Sequence, residues 1–142
     1  MTGIYEYHHT VREDEIDVLG HANNVCYVAW MQDAALAHSA ALGWSTEAYL
    51  RLGLGWVARS HTIEYHQSAR AGDEITVETW VADFKRVTSL RRYRIVRQSD
   101  GGLLATAETK WAFINYATGQ LERVPKEIVQ AYKIAEVPQL PG

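Results

Sequence analysis

One long apolar segment constrains the fold of this chain more than any other feature. Its few polar residues are Gln32, Asp33, His38 and Ser39. The segment runs from Val25 to Leu42, follows Asn23 and Asn24, and is followed by Gly43. Asparagine is a favoured helix N-cap, and glycine is favoured just after a helix end. The sequence therefore predicts a helix of roughly 27 Å, and a helix that is apolar on most faces must be buried on most faces.

The rest of the chain has the pattern of a sheet with short connections. Strands are predicted at Ile4 to Val11, Trp56 to His66, Glu74 to Phe84, Thr88 to Gln98 and Leu103 to Asn115. Shorter helices are predicted at Thr46 to Leu52 and from about Val124 to about Tyr132. Successive strands joined by tight turns favour antiparallel pairing. The predicted class is α+β, with a twisted antiparallel sheet wrapped around one long central helix.

Length and composition favour one ordinary globular domain over residues 1–142, with a frayed tail from about 134 to 142. Hydrophobic residues make up 47% and the net charge is −3, so neither a nucleic-acid nor a membrane surface is indicated. The single cysteine, Cys26, excludes an internal disulfide and is typical of a reducing compartment. The N-terminus lacks a signal-peptide pattern, so we expect a cytoplasmic location.

The loop before the long helix carries groups suited to acyl chemistry. Asp17 and His21 lie just before the helix start, where the backbone N–H groups of Asn24 and Val25 are expected to lack partners. The positive end of a helix dipole favours negative charge, including charge that develops on an oxyanion. An alternative role for Asp17 is a turn or cap residue, and His21 could simply hold the loop together.

The same residues resemble a known family. Arg12-Glu13-Asp14-Glu15-Ile16-Asp17, followed by Gly20-His21-Ala22-Asn23-Asn24 and Tyr27, is similar to the signature of hotdog-fold thioesterases of the 4-hydroxybenzoyl-CoA thioesterase type. Ala69-Arg70-Ala71-Gly72-Asp73 resembles that family's Arg-x-Gly-Asp turn. The resemblance implies a hotdog fold and hydrolysis of an acyl-CoA or acyl-carrier-protein thioester, with no cofactor. It also implies a homodimer or homotetramer (a dimer of dimers) with active sites between paired protomers.

The resemblance also implies roles for individual residues. Asp17 would be the catalytic carboxylate, either attacking the thioester carbon or activating a water molecule. The amides of Asn24 and Val25 would polarise the carbonyl, with His21 in support, and Tyr27 would contact the substrate. A second branch of hotdog thioesterases uses a helix carboxylate instead, which makes Asp33 the alternative catalytic residue.

Other charged residues have less specific interpretations. Lys85, Arg86 and Arg91 are candidates for binding the phosphates of coenzyme A, although a run of charges on a strand is usually a solvated face. Glu15 also matches a position of the family motif. Glu15 and Asp17 are close enough to raise each other's pKa, and the alternative is an ion pair of Glu15 with Arg12 within the loop. The histidines share no metal-ligand spacing with carboxylates, so no metal is expected.

Two alternative functions stay open at this point. One is a non-catalytic module that binds acyl thioesters. The other is a hotdog dehydratase or hydratase, against which the absence of paired histidine and acid motifs argues. Asn23-Asn24 stands where members with aromatic substrates often have Tyr-His, which argues against an aromatic acyl group. Cys26 is interpreted as a packing residue rather than a nucleophile.

Overall fold

The structure is a computed structural model that describes residues 3–134. In chain order its elements are β1 (Tyr5–Thr10), a 3-10 turn (Glu13–Glu15), α1 (Asn24–Ala41), α2 (Thr46–Leu52), β2 (Leu54–Tyr65), β3 (Glu74–Phe84), β4 (Thr88–Arg97), β5 (Leu103–Asn115) and α3 (Lys126–Ala131). Within residues 3–134 no helix is both long enough and apolar enough to cross a membrane.

The strands form one five-stranded sheet in the order β1-β3-β4-β5-β2. All neighbouring strands pair antiparallel, and the consecutive strands β3, β4 and β5 form a meander. The helix α1 packs on this sheet against β1 and β3. The α+β class and the antiparallel sheet predicted from the sequence are confirmed. The strands at the two edges of the sheet are the short β1 and the long β2.

The core consists of two clusters of buried apolar residues. The first packs Tyr27, Trp30 and Met31 of α1 against apolar residues of β3, β4 and β5. The second lies among α2, α3 and the sheet, with Phe113 and Ile128 fully buried. Burying a large apolar side chain is worth about 1.5–3 kcal/mol. The first cluster therefore holds α1 on the sheet, and this in turn positions the loop at the N-terminus of α1.

One side of α1 is less enclosed than its composition predicts. Val25 and Leu36 are 74% and 57% exposed, and the exposed side also carries Ala29, Ala40 and Ala41. Alanine has little apolar surface and a high helix propensity, so an alanine-rich side can face solvent at little cost. The expectation of burial on most faces is thus too strong for the single protomer.

The element bounds follow the predicted ones closely, with small differences that have local causes. Helix α1 starts one residue early, at Asn24, because Asn23 is its N-cap. Strand β2 starts at Leu54 because its pairing with β5 begins there, opposite Asn115. The 3-10 turn was not predicted. The predicted frayed tail lies outside the described residues, apart from Ile134.

Candidate active site

The loop that precedes α1 is held in place by the buried carboxylate of Glu15. This residue is only 6% exposed. One carboxylate oxygen, Oε1, accepts a hydrogen bond from the Arg12 backbone N–H at 2.9 Å and lies 2.8 Å from His9 Nε2. The other, Oε2, accepts a hydrogen bond from the Trp30 indole N–H at 2.8 Å. Glu15 therefore joins β1, the loop and the middle of α1.

These contacts also decide the ionisation of Glu15. Burial alone would raise its pKa, but hydrogen bonds from the Arg12 backbone, His9 and Trp30 outweigh that effect, and the pKa lies below its usual value. The predicted ion pair with Arg12 is present, with Nη2 and Oε2 3.6 Å apart. The expectation that Glu15 and Asp17 raise each other's pKa is wrong for Glu15, whose carboxylate serves a structural purpose.

Asp17 sits in a tight turn two residues further on. Its Oδ1 accepts hydrogen bonds from the backbone N–H groups of Leu19 at 2.9 Å and His21 at 3.3 Å. Gly20 adopts φ 81°, in the left-handed region that favours glycine, and donates its N–H to the Asp17 carbonyl. Among the described residues no group donates to Oδ2 of Asp17. The turn role left open by the sequence is therefore real, and it leaves one carboxylate oxygen available.

The start of α1 offers one available backbone donor. The side-chain oxygen of Asn23 accepts the Val25 N–H at 3.1 Å, and the Asn23 carbonyl accepts the Cys26 N–H at 2.9 Å. No acceptor for the Asn24 N–H is found within residues 3–134. Of the two amides expected at this helix end, that of Val25 is thus committed to the cap and that of Asn24 is available.

One pocket of about 370 Å³ brings these groups together. Asp17, His21 and Asn24 line it from the loop and the helix start, and residues 65–68 line it from the end of β2. The Tyr65 hydroxyl donates to the Asn24 carbonyl at 3.0 Å and so fastens the end of β2 to the helix start. A carboxylate, an imidazole and a helix N-terminus therefore surround a single space.

Tyr27 forms the inner wall of this pocket. It is 2% exposed, and its ring lies 4.7 Å from that of Trp30 and 5.0 Å from that of Tyr65 between centroids. Its hydroxyl accepts the Ala69 N–H at 3.3 Å. Burial raises the pKa of Tyr27, so the hydroxyl stays neutral. Tyr27 therefore has a structural role in positioning the loop after β2, and its contact with substrate stays a prediction.

His66 is a pocket residue that the sequence did not single out as a site candidate. Its Nε2 lies 3.1 Å from Thr106 Oγ1 on β5. Arg97 holds the segment after His66 in place. It donates to the Ser68 carbonyl at 2.7 Å and forms an ion pair with Asp73 at 3.1 Å. No local pattern marks His66, because it enters the pocket only through the packing of β2 against α1.

The structure does not bring the predicted basic residues together. Lys85 and Arg86 are exposed in the turn between β3 and β4, away from the Asp17 pocket. Arg91 is 5% exposed, and its Nη1 donates to His38 Nδ1 and Thr79 Oγ1, each at 3.0 Å. The interpretation of Arg91 as a ligand for a solvent-exposed phosphate is therefore corrected. Its side chain points inward because it shares a sheet face with the buried residues of β4.

Two further expectations concern alternative chemistry. Asp33, the alternative catalytic residue, is exposed on α1 and does not line the Asp17 pocket. Cys26 is half-buried, and burial raises the pKa of its thiol, so it has the character of a packing residue. Over the described range, 3–134, no cluster of three His, Cys, Asp or Glu side chains is placed to hold a metal ion.

Comparison with known proteins gives the family of this chain. Residues 11–132 match the family model of the thioesterase-like superfamily. The chain belongs to this superfamily. The match does not extend to the narrower 4-hydroxybenzoyl-CoA thioesterase type, which stays a prediction.

Individual members of the thioesterase-like superfamily resemble the chain at low identity. It is 25% identical over 136 residues to the chloroplastic oleoyl-acyl carrier protein thioesterase 2 of Arabidopsis thaliana, covering 92% of this chain and 37% of the relative. The chain thus spans little more than a third of the length of that curated relative.

Solved structures of other proteins share the fold. A 1,4-dihydroxy-2-naphthoyl-CoA thioesterase from Synechocystis superposes with a TM-score of 0.84 at 17% identity, covering 90% of this chain and 94% of that one. A Staphylococcus aureus protein solved in complex with CoA gives a TM-score of 0.89 at 19% identity, with coverages of 99% and 91%. These likenesses confirm the predicted hotdog fold.

Proposed function

We propose that this chain is a thioesterase that hydrolyses an acyl-CoA or acyl-carrier-protein thioester to a carboxylic acid and a thiol. One observation carries the proposal. Asp17, which has an available carboxylate oxygen, and Asn24, which has an available N–H, line the same pocket at the positive end of a long helix. Membership of the thioesterase-like superfamily supports it. A carboxylate can act as the nucleophile or base of acyl transfer, and an oxyanion donor stabilises the charge that develops.

The proposed chemistry begins at the thioester carbonyl. Its oxygen accepts the Asn24 N–H, and the helix dipole stabilises the negative charge as the tetrahedral intermediate forms. A correctly placed donor of this kind is worth about 3 kcal/mol in kcat. No cofactor is required, because the carboxylate and the amide belong to the chain itself.

Asp17 supplies the second half of the reaction by one of two routes. Its Oδ2 attacks the carbonyl carbon, expels the thiolate and forms a mixed anhydride that water then hydrolyses. Alternatively, Oδ2 removes a proton from a water molecule that attacks the same carbon. In both routes the C–S bond breaks, the thiolate takes up a proton, and the acid is released. His21 lines the same pocket and would support the loop and the proton transfers.

The proposed active unit is a dimer, or a dimer of dimers, rather than one protomer. The long strand β2 lies at the sheet edge, and such an edge can pair with another chain. Beside the pocket, Val18 is fully exposed, and Leu19 and Val25 are largely exposed. Apolar side chains grouped around a site suggest that a second protomer covers it.

The proposal is tested by measuring thiol release from a panel of thioesters. The panel holds short and long aliphatic acyl-CoAs, aromatic acyl-CoAs and the matching acyl-carrier proteins. We expect turnover of at least one aliphatic substrate, because Asn23 and Asn24 replace the residues typical of members with aromatic substrates. Binding of a thioester without thiol release would instead support a non-catalytic binding module. Formation or loss of an enoyl double bond would support a dehydratase or hydratase.

A structure with a non-hydrolysable thioester analogue tests the placement of the reacting group. We expect the carbonyl oxygen about 3 Å from the Asn24 nitrogen, within hydrogen-bond reach. The carbonyl carbon is expected to face Asp17, directly or through one water molecule. Lys85 and Arg86 are the exposed cations proposed for the phosphates of coenzyme A. A carbonyl bound beside Asp33 would show that the site is wrongly assigned.

A further inference from the structure

A second pocket lies toward the other end of α1. It has a volume of about 180 Å³ and is lined by α1, α2, the sheet and Tyr132, the residue that follows α3. It shares no lining residue with the Asp17 pocket. Ser39, which lines it, lies about 22 Å along α1 from Asn24, at 1.5 Å per residue. The two pockets are therefore separate spaces within one protomer.

The walls of this second pocket are mainly apolar and aromatic. They include Tyr49, Trp56, Phe84 and Tyr132. The Tyr49 hydroxyl is already engaged, since it accepts the Trp56 indole N–H at 3.1 Å and lies 3.3 Å from Ser39 Oγ. These polar groups satisfy one another, so the walls mostly offer apolar contact to anything inside.

Arg91 is the charged group in this pocket. Its two side-chain hydrogen bonds both use Nη1, and both acceptors, His38 and Thr79, are uncharged. Burial and the nearby charge of Arg91 lower the pKa of His38 to about 4, so its ring is neutral at ordinary pH. The guanidinium also lies 5.9 Å from the centre of the Tyr132 ring. None of these contacts neutralises its charge.

The other arginines of β4 show how unusual this is. Arg92, Arg94 and Arg97 each form an ion pair with a carboxylate, at 3.7, 3.1 and 3.1 Å. Arg91 is more buried than any of them, yet no Asp or Glu among the described residues pairs with it. A buried charge without a counter-ion is destabilising. A bound anion would remove that cost.

The unpaired nitrogens of Arg91 and the volume of the pocket indicate which kind of anion it would bind. Nε and Nη2 of Arg91 have no acceptor within the described part of the chain, and a guanidinium binds a carboxylate through two parallel hydrogen bonds. An apolar cavity of about 150 Å³ is known to bind benzene, so this pocket suits one ring or a short aliphatic chain. We propose that it binds a small monocarboxylic acid whose apolar body fills the pocket and whose carboxylate pairs with Arg91.

The pocket has a route to solvent. Three of its lining residues, Leu36, Thr46 and Tyr116, are exposed. A small acid could enter there without crossing the Asp17 pocket. The inference therefore does not depend on thioester hydrolysis, and it can fail or succeed independently of it.

The first test compares benzoate with benzamide on the unmodified protein. The two probes have nearly the same shape, and only benzoate carries the charge. Binding is followed by the NMR signals of the indole N–H groups. We expect benzoate to shift those of Trp56 and Trp111, which line the pocket, and not that of Trp30 in the other cluster. We expect benzamide to bind at least tenfold more weakly.

The second test uses matched variants. Arg91→Met is expected to weaken benzoate binding at least tenfold and to leave benzamide binding unchanged. Arg92→Met removes a neighbouring arginine that does not line the pocket and is expected to leave both unchanged. Asp17→Asn is also expected to leave benzoate binding unchanged, because Asp17 belongs to the other pocket.

Several results would overturn the inference. Equal affinity of the unmodified protein for benzoate and benzamide would do so, and so would no binding at millimolar benzoate. Shifts confined to the backbone amides of Gly20 and Asn24 would place the acid in the Asp17 pocket instead. If Arg91→Met does not fold, the comparison of benzoate with benzamide on the unmodified protein still tests the inference.

Discussion

Trp30 donates its indole N–H to the Glu15 carboxylate at 2.8 Å, which joins the middle of α1 to the loop that carries Asp17. Only one residue separates Glu15 from Asp17 in the chain. A shift of the Glu15 side chain must therefore move the proposed catalytic carboxylate relative to the helix start. The pocket keeps its geometry because a fully buried tryptophan and a buried carboxylate hold each other in place.

Glu15→Gln is expected to destabilise the fold and lower kcat. Hydrogen bonds to a charged group contribute about 1.5–3 kcal/mol, and the amide cannot accept from all three donors. Chemical denaturation measures the loss. Glu47→Gln is the control, because Glu47 forms only an exposed ion pair with Arg51 on α2. Equal stability of the two variants would contradict the structural role of Glu15.

The same variant is expected to change the response to acid. The pKa of Glu15 in the folded chain lies below its ordinary 4.5. Its contribution to stability is therefore complete above about pH 4.5 and is lost as the pH falls through the lowered value. Denaturation curves below pH 4.5 should fall less steeply for Glu15→Gln than for the unmodified protein. If the stability of both proteins fell equally steeply below pH 4.5, Glu15 would not carry this contribution.

Asn23→Ala tests the helix start. Loss of an N-cap costs about 1 kcal/mol, and it also loosens the turn that presents the Asn24 N–H. Ser45→Ala removes the equivalent cap of α2, where Ser45 accepts the Ala48 N–H at 3.1 Å. We expect similar losses of stability from the two variants, measured by urea denaturation. Only Asn23→Ala should lower kcat, and a normal kcat would separate the helix start from the chemistry.

His38→Asn tests the buried imidazole. The pKa of His38 is lowered from 6.5 to about 4 in the folded chain, so the unfolded chain binds this proton more readily. The contribution to stability is therefore complete above pH 6.5 and is lost as the pH falls toward 4, by about 3 kcal/mol at 1.36 kcal/mol per pH unit. The groups that face this ring are Arg91, Tyr5 and Tyr132.

The variant keeps an oxygen that can accept from Arg91 but no group that titrates. Stability measured at pH 7 and pH 5 should differ less for His38→Asn than for the unmodified protein. The readout is the difference in stability between pH 7 and pH 5, because the smaller side chain also lowers stability at every pH. An unchanged pH difference would mean that His38 titrates normally.

The sequence predicted those elements whose patterns are local. The bounds of β3 and β5 follow from alternation and from glycine-containing turns, and α2 lies between a serine cap and Gly53. The start of β2 was placed late, at Trp56, because Gly55 is atypical of a strand. Within β2, a bulge between Ala58 and Ser60 breaks the alternation. Period-2 reasoning works only where the register is regular.

The site was only partly predictable, because some of its contacts join distant parts of the chain. Asp17 and Asn24 belong to a contiguous motif, whereas His66 reaches the pocket through the packing of β2. The sequence pattern around Arg91 also contained information that the prediction of its role did not use. It alternates with Arg92 and lies on the same face as Tyr93, and that pattern predicts an inward side chain.

The protein is expected to have at least twice the 16.0 kDa mass of one chain in solution. Light scattering after gel filtration measures this directly. Val18→Lys is expected to weaken the assembly, because Val18 is fully exposed beside the pocket. Leu50→Lys is the control on α2, where Leu50 is 65% exposed and lines neither pocket. A single-chain mass at micromolar concentration would contradict the shared-site proposal.

The kcat of Asp17→Asn on the best thioester substrate tests the central claim most directly. The amide can act neither as nucleophile nor as base, so kcat should fall by about 10²–10⁴-fold while KM and the unfolding transition change little. Asp33→Asn is the control, because the Asp33 carboxylate is exposed on α1. This variant should keep normal activity. A near-normal kcat for Asp17→Asn, together with a large loss for Asp33→Asn, would contradict the account.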